Sequence, residues 1–115
     1  MGKGETPSQE GSAFSYHEPG CRKVFKAQSH HVALIREEIE RSIAKEMETG
    51  FSKSKNASRS LFRGSRILEC RVNVSTLPPV RVAYTVSGET VTVVFLSTDI
   101  QKSEFTKALD RFLSL

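Results

Sequence analysis

Between residues 67 and 96 the chain carries three runs of strand-forming residues joined by short, turn-rich connections. That spacing leaves little choice but a set of antiparallel strands. In 67–74, Leu68, Cys70, Val72 and Val74 alternate with Ile67, Glu69, Arg71 and Asn73. In 80–86, Val80, Val82, Tyr84 and Val86 alternate with Arg81, Ala83 and Thr85, and Pro78-Pro79 confines the preceding connection to a loop. In 90–96 nearly every residue is apolar or Thr, as an interior strand requires, and Ser87-Gly88-Glu89 supplies a tight hairpin turn before it. Strand alternation sends Arg71 and Arg81 to one sheet face and Leu68, Cys70, Val82 and Tyr84 to the other. Tyr84 is therefore expected in the core.

Upstream, Val32, Ile35, Ile39, Ile43 and Met47 step by three or four residues and form one apolar stripe, with charged residues between them. This predicts an amphipathic helix over 30–49, with Ser29 as N-cap and Gly50 as stop. A second stripe of Phe105, Leu109 and Phe112 predicts a closing helix over 102–113, with Ser97, Thr98 or Asp99 capping the turn before it. A short first strand over 13–17 and a short helix over 21–27 complete the order. Residues 51–65 are polar, basic and Ser-rich and read as a loop, with Leu61 and Phe62 anchoring it to the core. The predicted class is α+β: a small antiparallel sheet with helices packed on one face, in the order β-α-(α)-β-β-β-α.

With 115 residues the chain suits one domain, expected over 13–115 behind a flexible, Gly- and Ser-rich tail over 1–12. No run approaches the ~18 apolar residues of a membrane span, and residues 1–14 lack the apolar stretch of a signal peptide. Cys21 and Cys70 show no CxxC spacing and read as buried thiols suited to a reducing cytoplasm. No metal-ligand cluster is present, so neither metal nor other cofactor is expected.

Charge is unevenly placed. Residues 50–84 hold seven cations (Lys53, Lys55, Arg59, Arg63, Arg66, Arg71 and Arg81) against the one acid Glu69, a local +6 that leaves −2 for the rest. Such a split suits an anionic partner such as nucleic acid. For the segment 53–66 a solvated basic loop accounts for the sequence equally well.

Five pieces in order carry a resemblance: Leu61-Phe62-Arg63-Gly64, Ile67-Leu68-Glu69-Cys70-Arg71-Val72, Val80-Arg81-Val82-Ala83-Tyr84, the run 89–96 and the helix 102–113. Together they resemble the C-terminal half of the RelE/ParE toxin superfamily. The resemblance implies helices on one face of a twisted antiparallel sheet and a basic, concave opposite face. It implies either cleavage of mRNA in the ribosomal A site or, in ParE-like members, inhibition of DNA gyrase. It also implies an antitoxin that wraps the toxin.

Carried onto these residues, the resemblance makes Arg81 the clamp on the scissile phosphate. The alternative for Arg81 is a surface pairing with Glu69. Arg71 follows as a second phosphate ligand, and Lys102 as the one available residue of a basic pair. Glu69 is a general base or the partner that holds Arg71. Lys53, Lys55, Arg59, Arg63 and Arg66 are candidate contacts to the RNA backbone. Where several members place a catalytic Tyr, this chain has Phe105, which reads as core and leaves the general acid unassigned. His17, His30 and His31 read as solvent or cap residues. The outcomes that follow are an RNA-cutting, translation-inhibiting hydrolase, a gyrase inhibitor without catalysis, or a domain of this fold that only binds.

Overall fold

A computed structural model describes residues 13–52, 54–99 and 101–114. The expected tail over 1–12 and the candidate Lys53 lie outside the described residues. The elements in order are β1 (Ala13–Tyr16), α1 (Glu18–Ala27), α2 (Val32–Glu48), β2 (Lys55–Phe62), β3 (Ser65–Val72), β4 (Val80–Ser87), β5 (Thr90–Ser97) and α3 (Lys102–Leu113). A 3₁₀ turn, Ser29–His31, joins α1 to α2. The α+β class read from the sequence holds, and the five strands form one sheet in the order β1-β5-β4-β3-β2.

Three features depart from the expected layout. The segment expected as a loop contains β2, which pairs antiparallel with β3. As an edge strand with one face largely in solvent it needs few apolar residues, so its composition hides it. Next, β1 runs parallel to β5, which makes the sheet mixed rather than wholly antiparallel. The α1–α2 crossover takes the chain from this edge to β2 at the other, which frees β1 from the hairpin geometry of its neighbours.

Finally, the helices do not share one face. Ile35, Ile39 and Ile43 of α2 pack with Val72, Val82, Tyr84, Val91 and Val93. Phe105 and Leu109 of α3 pack with Ala57, Ile67 and Ala83. Alternation places Val82 and Tyr84 on one side of β4 and Ala83 on the other, so α3 covers the face expected to be bare. The reason is visible in the side chains: Ile67, Ala83 and Phe95 form an apolar strip there, and Phe105 and Leu109 pack on it, with Ile67 and Ala83 fully buried and Phe95 partly so.

Local chemistry explains the joints. Helix α2 ends with the Phe51 N–H bonded to the Glu46 carbonyl and the Gly50 N–H to that of Met47, the paired closure of a Schellman motif. Its N-cap is His31 rather than Ser29, and no side chain caps it. Gln101, likewise without a side-chain bond, precedes α3, while Ser97 Oγ accepts from the Asp99 N–H at 3.0 Å. Helix α1 lies against β5 at Gly20, where a Cβ would stand 1.8 Å from the Val94 carbonyl oxygen. Val94 is the extra residue of a bulge, since Ala83 pairs with Phe95 and Tyr84 with Val93.

The β2–β3 hairpin turns through Arg63 (φ 51°) and Gly64 (φ 82°), the two positive φ values of a type I′ turn. Leu61 beside it is exposed, while Phe62 reaches the α3 core, so only one of the two expected anchors holds. Between Asn56 and Leu61 the register with β3 is interrupted. The hairpin curls over α3 until the Phe62 ring lies 4.9 Å from His17, and His17 lies 5.8 Å from Phe112. The two margins of the sheet thus meet around the C-terminal end of α3.

A candidate anion-binding site

At the opposite end of α3 the same sheet face turns ionic. Glu69 on β3 is buried, and its two carboxylate oxygens take one cation each. Oε1 accepts from Arg81 Nη1 at 2.9 Å, and Oε2 accepts from Lys102 Nζ at the first residue of α3. Exposure rises outward through the trio, from 3% for the Glu69 side chain to 19% for Arg81 and 49% for Lys102. The carboxylate therefore lies at the floor and the ammonium at the mouth. Removing one member of such a pair costs several kcal/mol in general, about 3–5 when both are buried.

Strand register adds two more cations. Arg71 is the direct cross-strand partner of Arg81, and Lys55 that of Glu69, so both share this face. Both are exposed. Arg81 and Lys102 hold the carboxylate, and Lys55 and Arg71 stand at neighbouring positions of the same face, a formal +3 for the five residues together. Like charges directly opposite one another, as at Arg71 and Arg81, repel, and Glu69 offsets that on the Arg81 side.

Of the candidate residues, then, Arg81, Lys102 and Glu69 come together, and Arg71 and Lys55 take neighbouring register positions on the same face. Glu69 holds Arg81 and Lys102 rather than Arg71, which corrects the pairing expected for that carboxylate. Arg59 borders a shallow groove between β2 and α3, shared with Lys102, Thr106 and Asp110. Ser58 Oγ donates to Asp110 Oδ1 at 2.6 Å and ties β2 to α3 across that groove. Arg63 sits at the far hairpin tip with its guanidinium 4.8 Å from the Phe62 ring centre. Ten residues of α3 separate Lys102 from Phe112 at that end, about 15 Å of helical rise. Arg66 pairs with Leu61 and has the opposite parity to Ile67, which places it on the other face. That parity was available in the sequence. The Ser58–Asp110 bond had no sequence signal, because it joins residues on separate elements in a register-broken strand.

The acid–base groups lie elsewhere. Tyr84 is on the α2 face, where its hydroxyl is 2.6 Å from Ser54 Oγ and Ser54 Oγ donates to Glu46. Burial pushes its phenol up to about 12. Tyr16 donates to Glu40 at 2.8 Å, and burial followed by that bond raises its pKa as well. His17 stands at the hairpin end, its pKa lowered by burial and then by the Arg63 charge. His30 and His31 lie in the turn between α1 and α2. Phe105 is fully buried, as its place on the apolar stripe predicts. Burial pushes the Cys21 and Cys70 thiols up to about 12, as expected of inert core thiols.

Among the described residues no helix is long and apolar enough to cross a membrane. No protein-family model, curated protein or solved structure matches the chain.

Proposed function

We propose that this chain is a cytoplasmic toxin of the RelE kind, which grips mRNA phosphates at the ionic end of the α3 face and promotes cleavage on the ribosome. One observation supports it above the others: Arg81 and Lys102 converge on the buried Glu69 carboxylate, and strand register sets Lys55 and Arg71 beside them on the same face, a local excess of positive charge. The resemblance of residues 60–113 to RelE/ParE toxins supplies the reaction class. In it the RNA 2′-hydroxyl attacks its own phosphorus, the bond to O5′ breaks, and a cyclic phosphate and a 5′-hydroxyl result.

Arg81 and Arg71 donate to the phosphorane oxygens as negative charge grows there, the kind of fixed donor worth roughly 10²–10³-fold in rate. Glu69 holds the Arg81 and Lys102 head groups in place. Lys55 and Arg59 follow the backbone on either side. No tyrosine or histidine among the described residues reaches this cluster. Proton transfer therefore falls to groups of the ribosome around the substrate, and free RNA is not cut. An antitoxin is the partner that silences the chain.

A translating extract supplied with the purified protein tests the proposal by primer extension. Cuts are expected within A-site codons and none in naked RNA. Arg81→Lys keeps the Glu69 contact and should lower cutting at least tenfold while the domain stays folded. Undiminished cutting would remove Arg81 from the site.

The missing general acid also favours a second reading, in which the cation patch binds without catalysis and the target is DNA gyrase. Inhibition of gyrase supercoiling at micromolar protein, with translation untouched, would decide for it.

A further inference from the structure

We infer that a cavity between α1, the β5–α3 connection and α3 is a nucleobase subsite, which receives the base of a nucleotide whose phosphate rests on the Arg81 cluster. This rests on the RNA-directed reading above and names what that surface selects. The cavity measures about 660 Å³, within the ~300–1,000 Å³ of pockets that enclose small organic ligands. Pro19, Pro78 and Phe95 line it, short and flat groups suited to the faces of a planar heterocycle. Gln28 and Asp99, also on its lining, carry the amide and carboxylate that read the hydrogen-bonding edge of a base.

Its place in the fold connects it to the cations. Ser97 lines the cavity and is the cross-strand partner of Arg81, one strand spacing of about 4.8 Å away. The Asp99 N–H bond to Ser97 Oγ fixes the start of the connection that leads to Lys102. A single-stranded chain with its phosphate on Arg81 can turn a base into this cavity. A paired base cannot leave its stack to do so without losing its partner. The subsite therefore selects unpaired nucleotides, and Asp99 favours bases that present an amino group.

The experiment uses the full chain and two fluorescent probes. One is a 2′-O-methyl trinucleotide, which cannot cleave itself; the other carries the same phosphates on abasic sugars. The intact trinucleotide is expected to bind about tenfold more tightly. Thr98→Trp, at an exposed position on the rim, and Ala108→Leu, on the helical wall, should each erase that difference without weakening the abasic probe. Thermal melting of both variants establishes that they fold, and Thr98→Trp carries the test if the α3 change does not. Equal binding of both probes, weakened alike by Arg81→Gln, would overturn the subsite and leave the phosphate site standing. Failure of both probes to bind at micromolar protein would overturn the RNA-directed reading and the subsite with it.

Discussion

On the α2 face of the sheet, isoleucines from one long helix meet valines and Tyr84 along nearly the whole width, and the polar groups within are neutral hydroxyls and thiols with one glutamate near the rim. The α3 face is divided. One half is aromatic and aliphatic, closed by Phe105, Leu109 and the Phe62–His17–Phe112 contact; the other is ionic, built on Glu69. The first face is committed to stability along its length. The second uses its apolar half to fix a helix whose first residue, Lys102, then completes a charged cluster. Packing and binding chemistry are thus separated along one helix axis.

The largest expected effect tests whether the α3 face is core at all. Phe105→Ala should cost about 3–5 kcal/mol and Ile39→Ala about 2–5, read from the urea midpoint at unchanged m-value. A Phe105→Ala cost under about 1 kcal/mol would mean that α3 rests on the sheet without holding it. Next comes the ionic half. Glu69→Gln should cost about 1.5–3 kcal/mol, because two charge-assisted bonds are weakened in a buried site. It should also tighten RNA binding at low salt, since the patch gains a net positive charge. A loss of stability with no gain in binding would make the cluster purely structural.

The α2 face should respond to alkali. Cys21, Cys70 and Tyr84 are each pushed up to about 12 by burial, above the ordinary values of 9.0 for the thiols and 10.0 for the phenol. An unfolded chain therefore loses these protons first. Their contribution is fully present below about pH 9 and is lost as pH rises toward about 12. Melting temperature should fall between about pH 9 and 12, and less so in Cys70→Ala once its own lower starting stability is subtracted.

The smallest effect lies at the hairpin end. The lowered pKa of His17 means that the unfolded chain binds its proton more readily, so stability falls as pH drops below the ordinary imidazole value. An NMR titration should find this imidazole low, and Arg63→Gln should move it up.

Much of this division was legible in the chain. The α2 stripe, β3, β4, β5 and the extent of α3 follow from periodicity, and Tyr84 and Phe105 fall in the core as their spacing requires. Arg71 and Arg81 fall on one face, and the structure pairs them directly. What periodicity could not give was the side of the sheet that α3 takes. Its stripe fits either face, and the choice depends on Ile67, Ala83 and Phe95 forming an apolar strip only once strands from different hairpins are aligned. β2 was hidden because an exposed edge strand need not alternate, and with it went the position of Lys55 opposite Glu69. Leu61 looks like an anchor in sequence and is exposed, because the type I′ turn fixes which of its two neighbours points inward.

The meeting of His17 with Phe62 has a consequence for how the molecule can open. Phe62 ends β2 at one border of the sheet, His17 directly follows β1 at the other, and the His17 ring also meets Phe112 of α3. The sheet behaves as a cuff fastened around its own closing helix. Any partner that levers α3 outward must undo the clasp and release both borders at once, so release of the helix and loosening of the sheet margins become one all-or-none event.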